Sequence, residues 1–242
     1  MNIEIPALNK FLNNNCVKKF IYKNINKSQI HLGISYQLVS EKYAGFKLYA
    51  TKDNDEELKD FNYDLYKKFI EYKPLLAHEQ EKSGLSIRTQ IDRYGDEPIF
   101  YFYNEFKNEI QLPDEPYPES VKGISLKSTG EKCHYFRYKK ETHYNVLLKI
   151  LNQFFMHYTE PSVESIINEI DLIDYSINSN KHSQIALYPY KGLINLHPLA
   201  AEDSVKLKEQ LDIDVRSCSI HIDEKLQPLS ICIYYKNIFK YL

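Results

Sequence analysis

Glycine is scarce in this chain of 242 residues, with seven in all and none arranged as GxGxxG or GxxxxGK[ST]. Both kinds of phosphate loop need glycines where the backbone closes on the phosphates, so P-loop and Rossmann sites are excluded. The four cysteines (Cys16, Cys133, Cys218 and Cys232) stand far apart and form no CxxC. That argues against a disulfide framework or a zinc knuckle and makes a reducing cytoplasm the expected location. Eight histidines are scattered without HExxH or HxH spacing, so no protein-held metal is expected. No GxSxG elbow occurs. No apolar run approaches the roughly 18–20 residues of a membrane span. The opening MNIEIPALNKFLNNN lacks the basic region and apolar stretch of a secretory signal. A net charge of −2 with only four arginines argues against a general nucleic-acid partner.

Tyrosine, by contrast, is abundant: 21 residues against no tryptophan. Its placement follows from a recurring pair of strand-like segments, aromatic and β-branched, joined by turn residues. The pairs are 30–38 with 44–51, 85–92 with 98–104, 123–128 with 133–139, 171–177 with 183–190, and 216–222 with 229–236. Their turns include Tyr94-Gly95-Asp96, Thr129-Gly130-Glu131, Asn178-Ser179-Asn180 and Asp223-Glu224-Lys225. Helical periodicity fills much of the rest: 5–22, 55–72 with Leu58, Phe61, Leu65 and Phe69 on one stripe, 141–157, 162–170 and 201–211. The segment 111–119 carries three prolines and reads as a loop. Pairs of the same kind flank it, so residues 1–242 read as one domain. Hairpins make antiparallel neighbours, which weighs against a doubly wound parallel sheet. The predicted fold is α/β: a ten-stranded antiparallel barrel of five hairpins, closed so that no edge is exposed, with helices outside.

Alternation then sorts the side chains, because successive residues of a strand face opposite ways. Phe46 and Leu48 oppose Lys47 and Tyr49. Phe100 and Phe102 oppose Tyr101 and Tyr103, and Phe136 and Tyr138 oppose Tyr135, Arg137 and Lys139. Ile185 and Leu187 oppose Gln184 and Tyr188, and Ile231 and Ile233 oppose Cys232 and Tyr234. One face is apolar enough to pack under helices. The other mixes tyrosine with cations, and is either a solvated sheet face or a tyrosine-lined lumen. A lumen of that kind suits an anionic ligand held by Arg and Lys whose reacting part is a cation stabilised by aromatic faces.

These segments resemble the ABBA-type aromatic prenyltransferases, and in local strings the cyanobactin-type peptide prenyltransferases. The strings are GISLKS with YFRYK, DYSINSNKHSQIALYP, and SIHIDEKLQPLSICIYY. The resemblance spans most of 28–237 and implies a barrel that moves a dimethylallyl or longer prenyl group from its diphosphate to a side chain of a ribosomal, cyclic peptide. Magnesium assists the diphosphate. By position it assigns Lys47, Arg137 and Lys139 to the diphosphate, and Tyr49, Tyr135, Tyr188 and Tyr234 to shielding the allyl cation. Tyr101 and Tyr103 join them on the lumen. Arg88 either supplements the diphosphate site or pairs with a surface acid.

The chain departs from that pattern in places. Gln184 stands where a basic residue is common, and Ser230 and Cys232 stand where a cation is. The early strand, where an acidic base is expected, offers His31, which is either the general base or a hydrogen-bonded wall residue. The acidic run 52–57 reads as a helix N-terminus rather than a metal motif. At 242 residues the chain is short for the family, which favours an open barrel end and a peptide acceptor. Prenylation of a small aromatic, or ligand binding by a tyrosine-rich face without turnover, are the competing readings.

Overall fold

The computed structural model describes residues 4–25, 30–52, 63–72, 80–90, 95–110, 121–155, 162–178, 183–222 and 228–235. Ten strands close into a barrel in which every neighbouring pair is antiparallel. They are β1 (Ile30–Gln37), β2 (Tyr43–Lys52), β3 (Gln80–Gln90), β4 (Gly95–Ile110) and β5 (Val121–Lys127), then β6 (Lys132–Lys139), β7 (Leu172–Asn178), β8 (Ser183–Tyr188), β9 (Val215–Ile222) and β10 (Pro228–Tyr235). Neighbours in sequence are neighbours in space, and β1 pairs with β10 to close the ring.

The helices are α1 (Pro6–Leu12), α2 (Asn15–Asn24), α3 (Tyr63–Tyr72), α4 (Lys140–Phe155), α5 (Val163–Glu169) and α6 (Pro198–Leu211), with a 3-10 turn at Gly192–Leu196. The helix expected over 5–22 is two. Asn14 is extended and its side chain accepts from the Cys16 amide at 2.8 Å, which starts α2 afresh. The last helix starts at Pro198 rather than 201, with proline in the first turn where its missing N–H costs nothing. Two strands are longer than expected: β3 begins at Gln80 and β4 continues to Ile110. The expected helix start at 53–62, the loop at 111–119 and the turn residues Tyr94, Ser179-Asn180 and Asp223-Glu224-Lys225 lie outside the described residues.

The hydrophobic core lies outside the barrel, between its outer face and the helices. Ile34, Phe46, Leu48, Phe102, Ile173 and Ile233 are buried there against Phe11, Phe20, Phe69, Leu147 and Leu207. Phe11 of α1 stacks on Phe46 at 5.6 Å, and Phe69 of α3 meets Phe102 edge-on at 5.8 Å. Each such buried side chain contributes about 1.5–3 kcal/mol. The strands spend their apolar faces on the helices, so the opposite faces turn into the lumen.

Candidate active site in the barrel lumen

The lumen encloses a cavity of about 670 Å³, within the usual range for small-molecule sites. Six cations line it (Lys47, Arg88, Lys122, Lys127, Arg137 and Arg216) against two carboxylates, Glu105 and Asp174. A chain of net charge −2 thus holds a cationic interior.

Register places the charges at two poles. Lys47 pairs with Arg88 across β2 and β3, and Tyr101 pairs with Lys127 across β4 and β5. The Lys47 ammonium lies 5.1 Å from the Tyr101 ring centre, 5.2 Å from Tyr49 and 5.5 Å from Tyr234. The Arg88 guanidinium lies 5.7 Å from Tyr101. Three phenol rings therefore already cage a cation. Lys127 is buried and paired with Glu131. The second pole is four residues further along β4, a strand distance of roughly 13 Å. There Arg137 forks onto Asp174, Nε to Oδ1 at 2.7 Å and Nη2 to Oδ2 at 2.9 Å, while Nη1 donates to Glu105 Oε1 at 2.5 Å. These hydrogen bonds to the two carboxylates, outweighing burial, push the guanidinium pKa up.

Three of the lumen tyrosine hydroxyls are hydrogen-bonded to groups of the wall. Gln184 Nε2 donates to Tyr234 Oη and to Ser219 Oγ, both at 2.7 Å. Arg216 donates to Tyr49 Oη at 3.2 Å, and Ser125 and Tyr135 share a hydrogen bond at 3.0 Å. Burial pushes the Tyr49 phenol up to about 12 despite Arg216, and raises Tyr135, Tyr188 and Tyr234 as well. All four stay protonated at neutral pH. The Cys133 and Cys232 thiols are likewise held neutral by burial, which makes them poor nucleophiles.

No protein-family model matches the sequence, and a search of curated proteins finds no match. Among solved structures, the 5-dimethylallyltryptophan synthase from Streptomyces coelicolor superposes over 98% of this chain and 96% of that one, at 7% identity and TM-score 0.51. The barrel is of the ABBA type.

Within the ABBA barrel, Lys47, Tyr49, Arg88, Tyr101, Tyr103, Tyr135, Arg137, Gln184, Tyr188 and Tyr234 all line the cavity. Two expected residues do not. Lys139 shares the parity of Arg137 but is exposed at the end of β6. His31 is buried, stacks on Tyr49 at 4.9 Å and is not part of the cavity wall. Arg137 sits in the lumen and is engaged by two carboxylates. Gln184 anchors Tyr234.

The sequence reading missed Glu105, Asp174, Lys127 and Arg216. Glu105 continues the 101–103–105 alternation past the expected strand end, and Lys127 completes Gly123–Ser125–Lys127. Asp174 alternates with Ser176 on β7. Arg216 falls on the apolar parity of β9; the register shift opposite Tyr234 and Tyr235 brings it to the cavity. Among the described residues no cluster of three His, Cys, Asp or Glu side chains is placed to hold a metal. The Lys47–Arg88–Lys127 pole offers nitrogen donors bearing positive charge, which do not fit a protein-bound magnesium ion. No helix among the described residues is long and apolar enough to cross a membrane.

Proposed function

We propose that the lumen transfers a prenyl group, dimethylallyl in the simplest case, from prenyl diphosphate to an acceptor side chain. The observation that carries this reading is the Lys47 ammonium held between the Tyr49, Tyr101 and Tyr234 rings, next to Arg88. One pole gathers cations for a diphosphate, and the rings beside it already stabilise positive charge.

In this reading Lys47 and Arg88 take the diphosphate oxygens and favour departure of the leaving group with its electron pair, while Lys127, held by Glu131, stands behind them in the wall. Tyr49, Tyr101, Tyr135, Tyr188 and Tyr234 face the allyl cation, and the tied hydroxyls of Tyr49, Tyr135 and Tyr234 keep them from intercepting it. The wall excludes water, which would otherwise quench the cation. The acceptor meets the cation from the direction of Arg137, Glu105 and Asp174. Magnesium enters as a counter-ion of the diphosphate rather than through protein ligands.

For the acceptor we propose a peptide side chain, as the strings in β5–β6, β7–β8 and β9–β10 imply. Free tryptophan is the second reading, favoured by the name of the structural neighbour. Dimethylallyl diphosphate with magnesium is to be incubated with Tyr- and Trp-containing cyclic peptides and with L-tryptophan, followed by mass spectrometry. A gain of one prenyl unit supports transfer and identifies the acceptor class. If calorimetry detects no binding of dimethylallyl diphosphate, the transfer reading is wrong and a non-catalytic binding lumen takes its place.

A further inference from the structure

Loss of a proton completes any alkylation in which the attacking atom carries hydrogen, and the lumen holds two carboxylates able to accept it. They are not equivalent. Both oxygens of Asp174 are occupied by the Arg137 fork. Glu105 receives one bond, from Arg137 Nη1 to Oε1, and its Oε2 accepts no hydrogen bond among the described residues. The residue paired with Glu105 on β5 is Gly123, where a Cβ would lie 2.7 Å from the Asn104 carbonyl oxygen, so this position projects no side chain toward the carboxylate. Its neighbour Lys122 lines the cavity and donates to the Phe106 carbonyl oxygen. Glu105 and Arg137 both line the cavity, whereas His31 does not.

We propose that Glu105 is the general base of this lumen and that the Asp174–Arg137 fork is its positioning device. The assignment rests on the prenyl-transfer reading above. In the step, the C–O bond of the prenyl diphosphate breaks and its electron pair leaves with the diphosphate. A bond forms between the allylic carbon and the acceptor atom. The proton on that atom passes to Glu105 Oε2 and then to solvent. An ordinary carboxylate suffices, because the alkylated acceptor is cationic before it loses the proton and is a far stronger acid than glutamic acid. Arg137 therefore does not need to leave Glu105 unusually basic; it needs to hold Oε1 so that Oε2 stays turned to the acceptor. The acceptor class follows: a nucleophile bearing a removable hydrogen whose alkylated form is strongly acidic, such as a phenol or an indole, in preference to an amine or a thioether.

Three variants test this: Glu105→Gln, Glu105→Ala and Asp174→Asn, assayed with dimethylallyl diphosphate and the peptide and tryptophan panel. Glu105→Gln keeps an oxygen for Arg137 Nη1. It is expected to lower kcat for acceptor alkylation by about 10²–10⁴-fold, with the Kd for dimethylallyl diphosphate and its slow hydrolysis to the alcohol within threefold of the parent. Formate added to Glu105→Ala is expected to restore part of kcat, a rescue that a merely structural carboxylate would not show. Asp174→Asn is expected to lower kcat less than Glu105→Gln and to leave the pH profile unshifted. Alkylation by Glu105→Gln within threefold of the parent overturns the base assignment while the transfer reading stands. A parent protein that binds no dimethylallyl diphosphate, or alkylates nothing in the panel, overturns both.

Discussion

Arg137→Met removes the guanidinium that joins two lumen carboxylates, and the consequence for folding can be worked from the contacts. The substitution keeps most of the side-chain volume and deletes three hydrogen bonds, two to Asp174 and one to Glu105. Breaking a buried ion pair from one side costs about 3–5 kcal/mol, because the partner charge stays desolvated. Here the side chains keep 24% exposure for Arg137 and 19% for each carboxylate, so water shares the load and about 2–4 kcal/mol is expected. For a domain of this size that lowers Tm by roughly 5–12 °C.

Urea unfolding followed by circular dichroism at pH 7 measures the loss. The triple variant Arg137→Met/Glu105→Gln/Asp174→Asn, with no charge left to strand, is expected to recover most of the loss at pH 7. Unfolding of Arg137→Met within about 0.5 kcal/mol of the parent at pH 7, the scatter of ordinary surface substitutions, would refute the reasoning. Abolished turnover in an Arg137 variant therefore does not by itself make Arg137 a diphosphate ligand.

Lys47→Met should raise the Kd for dimethylallyl diphosphate about tenfold to a hundredfold in calorimetry, the worth of one charge-assisted contact of about 1.5–3 kcal/mol; an unchanged Kd would move the diphosphate away from the Tyr101 pole. Asp203, on the buried face of α6, accepts from Tyr36 Oη and Tyr43 Oη at 3.0 Å each, yet burial raises its pKa. Its folded-state pKa lies above the unfolded value near about 3.9, so its contribution to stability is greatest below that value and declines as pH rises through the folded pKa. Asp203→Asn is expected to flatten the fall in urea midpoint from pH 3.5 upward, and a slope equal to the parent's would exclude Asp203 as its source.

How much was legible in the sequence depends on range. Alternation is local, so it sorts Lys47, Tyr49, Tyr101, Tyr103, Tyr135, Arg137, Tyr188 and Tyr234 onto the lumen face from residue order alone. It fails where the backbone breaks the period, as at the register shift that brings Arg216 to the cavity. It also fails where a strand outruns its apolar residues, as β4 does past Asn104 toward Glu105. His31 and Lys139 have the right parity and the wrong depth: parity says which way a side chain turns, not how far along the barrel it stands.

By itself the sequence determined the number of strands, their pairing into hairpins and the division into an apolar outer face and a tyrosine-rich inner one, because hydrogen-bond periodicity and hydrophobic burial act between near neighbours in the chain. Only the tertiary structure decided who meets whom across the lumen. Arg137 finds Asp174 37 residues away and Glu105 32 away, and Lys47 finds Tyr101 and Tyr234 from strands on either side. Closure of the ring brings these groups together, and it sets an arginine of the lumen face between two carboxylates.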